Sequence, residues 1–82
     1  MIFPEQIRAA RSLLAMRQTE LASAASVGVA TVRRIEGVPG QIRGGAETLW
    51  KIQKALEAAG IVFIEEDDSG GLGVRLRARS DS

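Results

Sequence analysis

The sequence predicts a mainly α-helical fold, four helices closed by a C-terminal β-hairpin. Three observations carry this. Apolar residues recur at helical spacing from Ile7 to Ala59, the period drops to two after Gly60, and Pro and Gly punctuate the junctions. The 82 residues suit one small unit, whose folding buries only about 60% of the unfolded chain's surface. Residues 1–60 are expected to be the helical part, 61–77 the hairpin, and 78–82 a frayed tail.

Pro4 suits a first helical position, and Glu5 is favourable at the positive end of the helix dipole. Ile7, Ala10 and Leu14 then fall on one stripe that Leu13 widens, with Arg8, Arg11 and Arg17 largely off it. A second, short helix starts near Gln18 or Thr19, carries Leu21, Ala22 and Ala25 inward, and is broken by Ser26-Val27-Gly28. A third runs from about Val29 to Glu36 with Val32 and Ile35 on its inner side. Pro39 keeps Val38 out of the helical region, so residues 37–45 read as a loop. Leu49, Ile52, Ala55, Leu56 and Ala59 trace one face of the last helix, and Gly60 suits the left-handed position past its end.

Beyond Gly60, Ile61-Val62-Phe63-Ile64 is β-branched and aromatic, and Val74-Arg75-Leu76-Arg77 alternates strictly. The residues between them, Asp67 to Gly71, are turn-formers. A lone hairpin is marginal in water, and the first strand is apolar on both faces. A second subunit is the expected cover, by face packing or by pairing of exposed edges. Ile61, Val62, Phe63, Ile64, Val74 and Leu76 are the candidate contacts of such a homodimer.

Composition excludes much chemistry. With no cysteine, disulfides and thiolate sites are ruled out; with no histidine, the usual general base and commonest metal ligand are missing. Neither an enzyme nor a bound cofactor is expected. Glu65 to Asp68 lack the alternating spacing of a calcium loop, so no metal is expected there. The start shows no basic leader before an apolar run, and the longest apolar stretch, Ile61 to Ile64, cannot span a bilayer. A cytoplasmic location follows as the expectation.

The segment from Gln18 to Glu36 is the most informative. Ala22 and Ala25 are small enough for two short helices to cross closely, and Val27, Val32 and Ile35 close the small core beneath the turn. Gly28, Val29, Ala30, Thr31, Arg33 and Arg34 then lie on or near the outer side of the second of these helices. In Gln18-Thr19-Glu20-Leu21-Ala22, Ala25-Ser26-Val27-Gly28 and Ala30-Thr31-Val32-Arg33-Arg34-Ile35-Glu36 the chain resembles the helix-turn-helix regulators of the phage-repressor (Cro/CI, XRE) type. It departs from their pattern where Ser26 stands at a turn position often held by Gly, and Gly28 at a cap often held by Ser or Thr.

The resemblance implies a lambda-repressor-like fold and binding to double-stranded DNA. By it, Gln18 would contact a phosphate, and Val29, Ala30 and Arg34 would face the bases. Arg33, Thr31, Gln41 and Arg43 would touch the backbone, and Arg11 and Glu36 would pair to stitch helices together. Arg34 at a guanine edge is worth about 1–3 kcal/mol of discrimination. Charge agrees in sign: residues 1–45 hold six basic and three acidic side chains, for +3, against −2 over residues 46–82. Trp50 reads as a partly buried packing residue and Arg75, Arg77 and Arg79 as solubilising charges on a strand.

The function expected is a dimeric transcriptional regulator, a repressor or autoregulator of a phage, toxin–antitoxin or mobile-element switch. The alternative is a protein-interaction module, an anti-activator or antitoxin, that docks a second regulatory protein on the apolar Val29–Ala30 surface.

Overall fold

A computed structural model describes residues 2–77, so the expected tail and Arg79 lie outside the described residues. The elements are α1 (Pro4–Leu14), α2 (Gln18–Ala25), α3 (Val29–Glu36), α4 (Ala46–Ala58), β1 (Ile61–Ile64) and β2 (Gly73–Leu76). The strands form a two-stranded antiparallel sheet in which Ile61 faces Leu76, Val62 faces Arg75, Phe63 faces Val74 and Ile64 faces Gly73. The fold is thus mainly helical, four helices and a hairpin.

One core holds these elements together. Ile7, Leu21, Val32, Ile35, Ile52 and Leu56 are fully or almost fully buried, each from a position that helical spacing turns inward. α2 packs on both α3 and α4, while α1 lies against β2 and α4 against β1. Ala22 and Ala25 are buried on α2, where a larger side chain would push its neighbours apart. Burying each large aliphatic side chain contributes about 1.5–3 kcal/mol, so these few residues supply most of the driving force.

Turns are sharp and use the left-handed region. Ala15 ends α1 at φ 52° and Ser26 ends α2 at φ 57°, both without glycine. Gly44 sits at φ 91°, and a Cβ there would stand 3.2 Å from Ile35 Cδ1, so glycine lets the loop close onto α3. Gly60, at φ 110°, turns the chain from α4 into β1.

Gln6 links the ends of the chain. Its side chain is buried and accepts a hydrogen bond from Phe3 N–H at 2.9 Å. Its Nε2 donates to the carbonyls of Ile64 at 3.2 Å and Gly73 at 3.0 Å, one on each strand.

Four expectations need correction. Leu13 does not widen the buried stripe but is 46% exposed, because no element covers that side of α1. Ala59 lies one residue beyond α4 and is exposed. Trp50 is 58% exposed, standing out from α4 with Lys54 Nζ 5.9 Å from its ring centre. β2 ends at Leu76 rather than Arg77, and Leu76 is 45% exposed although it shares a sheet face with buried Ile61. The cover offered by the helices gives out before that corner of the sheet.

Candidate nucleic-acid interface

α3 is anchored from one side and bare on the other. Val32, Ile35 and Glu36 are buried, whereas Ala30, Arg33 and Arg34 are exposed. Val29 is half-buried and packs against the core, and Thr31 is half-buried as well. Gly28 caps the helix without a side chain, its carbonyl accepting from the N–H groups of Thr31 at 3.0 Å and Val32 at 3.2 Å. The turn from Ser26 to Gly28 sets α3 against α2 with Val27 partly buried beneath it.

The anchor is a charged network. Arg11 Nη2 donates to Glu36 Oε1 at 2.6 Å and Arg11 Nε to Glu36 Oε2 at 2.8 Å, a two-point fork joining α1 to α3. Arg11 also donates to the Met16 carbonyl at 3.1 Å. Gln18 Nε2 donates to Glu36 Oε1 at 3.3 Å, so the side chain expected at a phosphate is half-buried and tied into this network.

Arg11, Arg17, Gln18, Thr19 and Arg33 line one shallow, open depression where α2 begins beside α3. Arg17 is missing from the residues that the sequence singles out; its place immediately before α2 is the one available sign. Its Nε lies 3.5 Å from Glu20 Oε1, and both side chains are largely exposed. Glu20 is held below its usual pKa, first by the Arg17 N–H that it accepts at 2.9 Å and further by the Arg17 charge. It therefore stays anionic and offsets part of that charge. Arg33 and Arg34 form no ion pair among the described residues.

Gln41 and Arg43 are exposed in the loop before α4 and bond to each other, Arg43 Nη2 to Gln41 Oε1 at 2.9 Å. They do not line the depression. The same loop is held to α1, where Glu5 Oε1 accepts from Gly40 N–H at 2.8 Å. That bond holds the Glu5 pKa below its usual value.

On the hairpin, Ile61, Phe63 and Val74 pack with the core, Val62 is half-buried outside it, and Ile64 and Leu76 are the exposed ones of the six candidate dimer residues. Asp67 Oδ1 accepts from the N–H groups of Ser69 and Gly70 and from the Ser69 hydroxyl, which makes a tight turn of the acidic run. Among the described residues no group of three or more acidic side chains is placed to hold a metal ion. No buried side-chain nitrogen or oxygen there lacks a partner, and no helix is long and apolar enough to cross a membrane.

Compared with protein-family models and with curated proteins, the chain matches none.

Proposed function

We propose that the protein is a sequence-specific, double-stranded DNA-binding transcriptional regulator of the helix-turn-helix type, acting as a cytoplasmic homodimer without catalysis or cofactor. One observation carries the reading: Arg33 and Arg34 are exposed on α3 without ion pairs among the described residues, while buried Glu36, on the same helix, is tied to Arg11. A short helix with its register fixed from behind and its cations unneutralised suits docking in a major groove.

In this reading Arg34 reads a base edge, and Arg33 and Arg17 hold phosphates on either side of the depression where α2 begins. Val29 lies against the core, so its base contact is confined to whatever part of its side chain remains open. Few phosphate contacts give one subunit a shallow salt dependence and low affinity. Two subunits on half-sites one helical turn apart recover it. A small regulator of this kind serves as repressor or autoregulator in a phage, toxin–antitoxin or mobile-element switch.

The test is binding to double-stranded DNA from the gene's own upstream region, followed by fluorescence anisotropy. Salt-sensitive, sequence-selective binding that Arg34→Ala abolishes supports the reading. A folded protein that binds no such DNA at low salt sinks it. The second reading, a module docking another regulatory protein, rests on exposed Ala30 and the apolar Val29 beside it and is favoured by that negative result.

A further inference from the structure

Helix α4 carries an open stripe beside its buried row of Leu49, Ile52 and Leu56. Ala46, Trp50, Gln53 and Glu57 follow one another along it at i, i+4, i+7 and i+11, none of them buried. This is the a and d spacing by which one helix packs along another. Trp50 is the most exposed large hydrophobic side chain among the described residues. Beside it lies a hollow of about 240 Å³, bounded by Ala46, Leu49, Trp50 and Gln53 and closed on one side by Ile2. Four residues at i, i+3, i+4 and i+7 form the hole that receives a knob from a facing helix. Knob and hole thus adjoin on one surface, as a self-complementary twofold interface requires.

Charge sets the direction. Glu47 and Lys54 lie two turns apart on the same flank of the stripe, and both are exposed. Their pairs within the helix, Glu47 with Lys51 at 3.6 Å and Lys54 with Glu57 at 3.3 Å, are open to water and hold them weakly. A parallel pair of α4 helices sets Glu47 against Glu47 and Lys54 against Lys54. An antiparallel pair sets unlike charges together and brings Glu57 to the positive end of the other helix's dipole.

We propose that α4 pairs antiparallel with α4 of a second copy, about a twofold axis between Trp50 and Gln53, so that Trp50 of each chain fills the hollow of the other and Glu47 meets Lys54. This rests on the dimeric reading above and places its seam on α4 rather than on the hairpin, where only Ile64 and Leu76 of the expected contacts are exposed. In that register Trp50 faces Gln53 of the second copy and Ala46 faces Glu57. Lys54 falls two residues, about 3 Å along the axis, from the position that faces Glu47. Each tryptophan brings about 150–250 Å² of surface to bury. No residue of α3 or of the depression beside α2 lies on the stripe, so the proposed DNA face stays open.

The experiment is sedimentation equilibrium of the full chain without DNA, with circular dichroism to check folding. The samples are the wild type, Trp50→Ala, Glu47→Lys, Lys54→Glu and an equimolar mixture of the two charge variants. The wild type is expected to dimerise at high micromolar concentration, where Trp50→Ala stays monomeric. Each charge variant weakens the dimer about tenfold, because two exposed pairs turn from attraction to repulsion. The mixture recovers wild-type association, since a mixed dimer restores both pairs. Trp50 is the chain's one tryptophan, so its emission supplies the second readout and shifts to the blue as concentration rises through the dimer range. A wild type that stays monomeric at high micromolar concentration overturns the seam. So does a dimer indifferent to Trp50→Ala, as a hairpin seam would leave it, one indifferent to the charge variants, or one whose Trp50 emission does not move. DNA binding by the same samples keeps the two ideas apart, because a failed seam with intact Arg34-dependent binding leaves the functional reading standing.

Discussion

Arg11 grips Glu36 at two points, 2.6 and 2.8 Å, across the gap between the first helix and the third. The Glu36 side chain is 2% exposed and the Arg11 side chain 19%. That asymmetry decides what each deletion does. Arg11→Ala strands a buried carboxylate with only Gln18 for company, at a cost of about 3–5 kcal/mol. Glu36→Ala leaves a cation that still holds the Met16 carbonyl and still touches water, and costs less. Urea denaturation of the two variants checks the order; a larger loss for Glu36→Ala contradicts it.

Gln6 reaches both strands, so its removal should be felt at the hairpin first. Gln6→Ala is expected to cost about 1–3 kcal/mol, the range for a buried polar partner lost. Hydrogen exchange should speed up at Ile64 and Gly73 before it does so in the middle of α2. Uniform acceleration across the chain would contradict the clamp.

Ala15 and Ser26 hold left-handed conformations, at φ 52° and 57°, that cost an L side chain about 1–2 kcal/mol. Part of this returns as chain entropy when glycine is substituted, so Ala15→Gly and Ser26→Gly should each stabilise by about 0.5–1 kcal/mol. Gly44→Ala should do the reverse, since it combines φ 91° with a Cβ pressed on Ile35. Thermal denaturation measures all three.

Acid should weaken the fold through Glu5, Glu20 and Asp67, whose pKa values lie below their usual ones because backbone N–H groups and, for Asp67, first of all the Ser69 hydroxyl donate to the carboxylates. A lowered folded pKa means stability that is full above the unfolded value and is lost as pH falls through the folded one. Stability should therefore hold near neutrality and decline below pH 4.5, the usual glutamate value. Glu5→Gln removes one contributor and should flatten the decline; a profile unchanged by it would count against the Gly40 tether.

On DNA, Arg33 and Arg34 should fail differently. Arg34→Ala is expected to cost about 1–3 kcal/mol at the preferred site and to relax selectivity at one base pair. Arg33→Ala should weaken all sequences alike and lower the salt slope by about 1. Anisotropy titrations at several salt concentrations separate the two, and equal selectivity loss in both variants would reject the assignment of roles.

The sequence by itself determined where the helices run and which way each residue of α3 turns. A period of 3.6 sends Val32 and Ile35 inward and leaves Arg33 and Arg34 outside, whatever else the chain does. It also placed the turns, and the Arg11–Glu36 pair was expected from the resemblance. What only the tertiary structure decided is how far each face is covered. Leu13 fits a helical pattern nearly as well as Leu14 does, yet it stands exposed, because periodicity assigns an angle and not a neighbour. Gln6 is the converse case. Its bond to the Phe3 N–H is a local cap at the start of α1, but the carbonyls that justify burying its amide come from residues 58 and 67 positions away. Gln18 likewise belongs to Glu36 only once α2 and α3 have closed on each other. Local spacing is written in neighbouring residues; cover and hydrogen-bond partners exist only after distant ones meet.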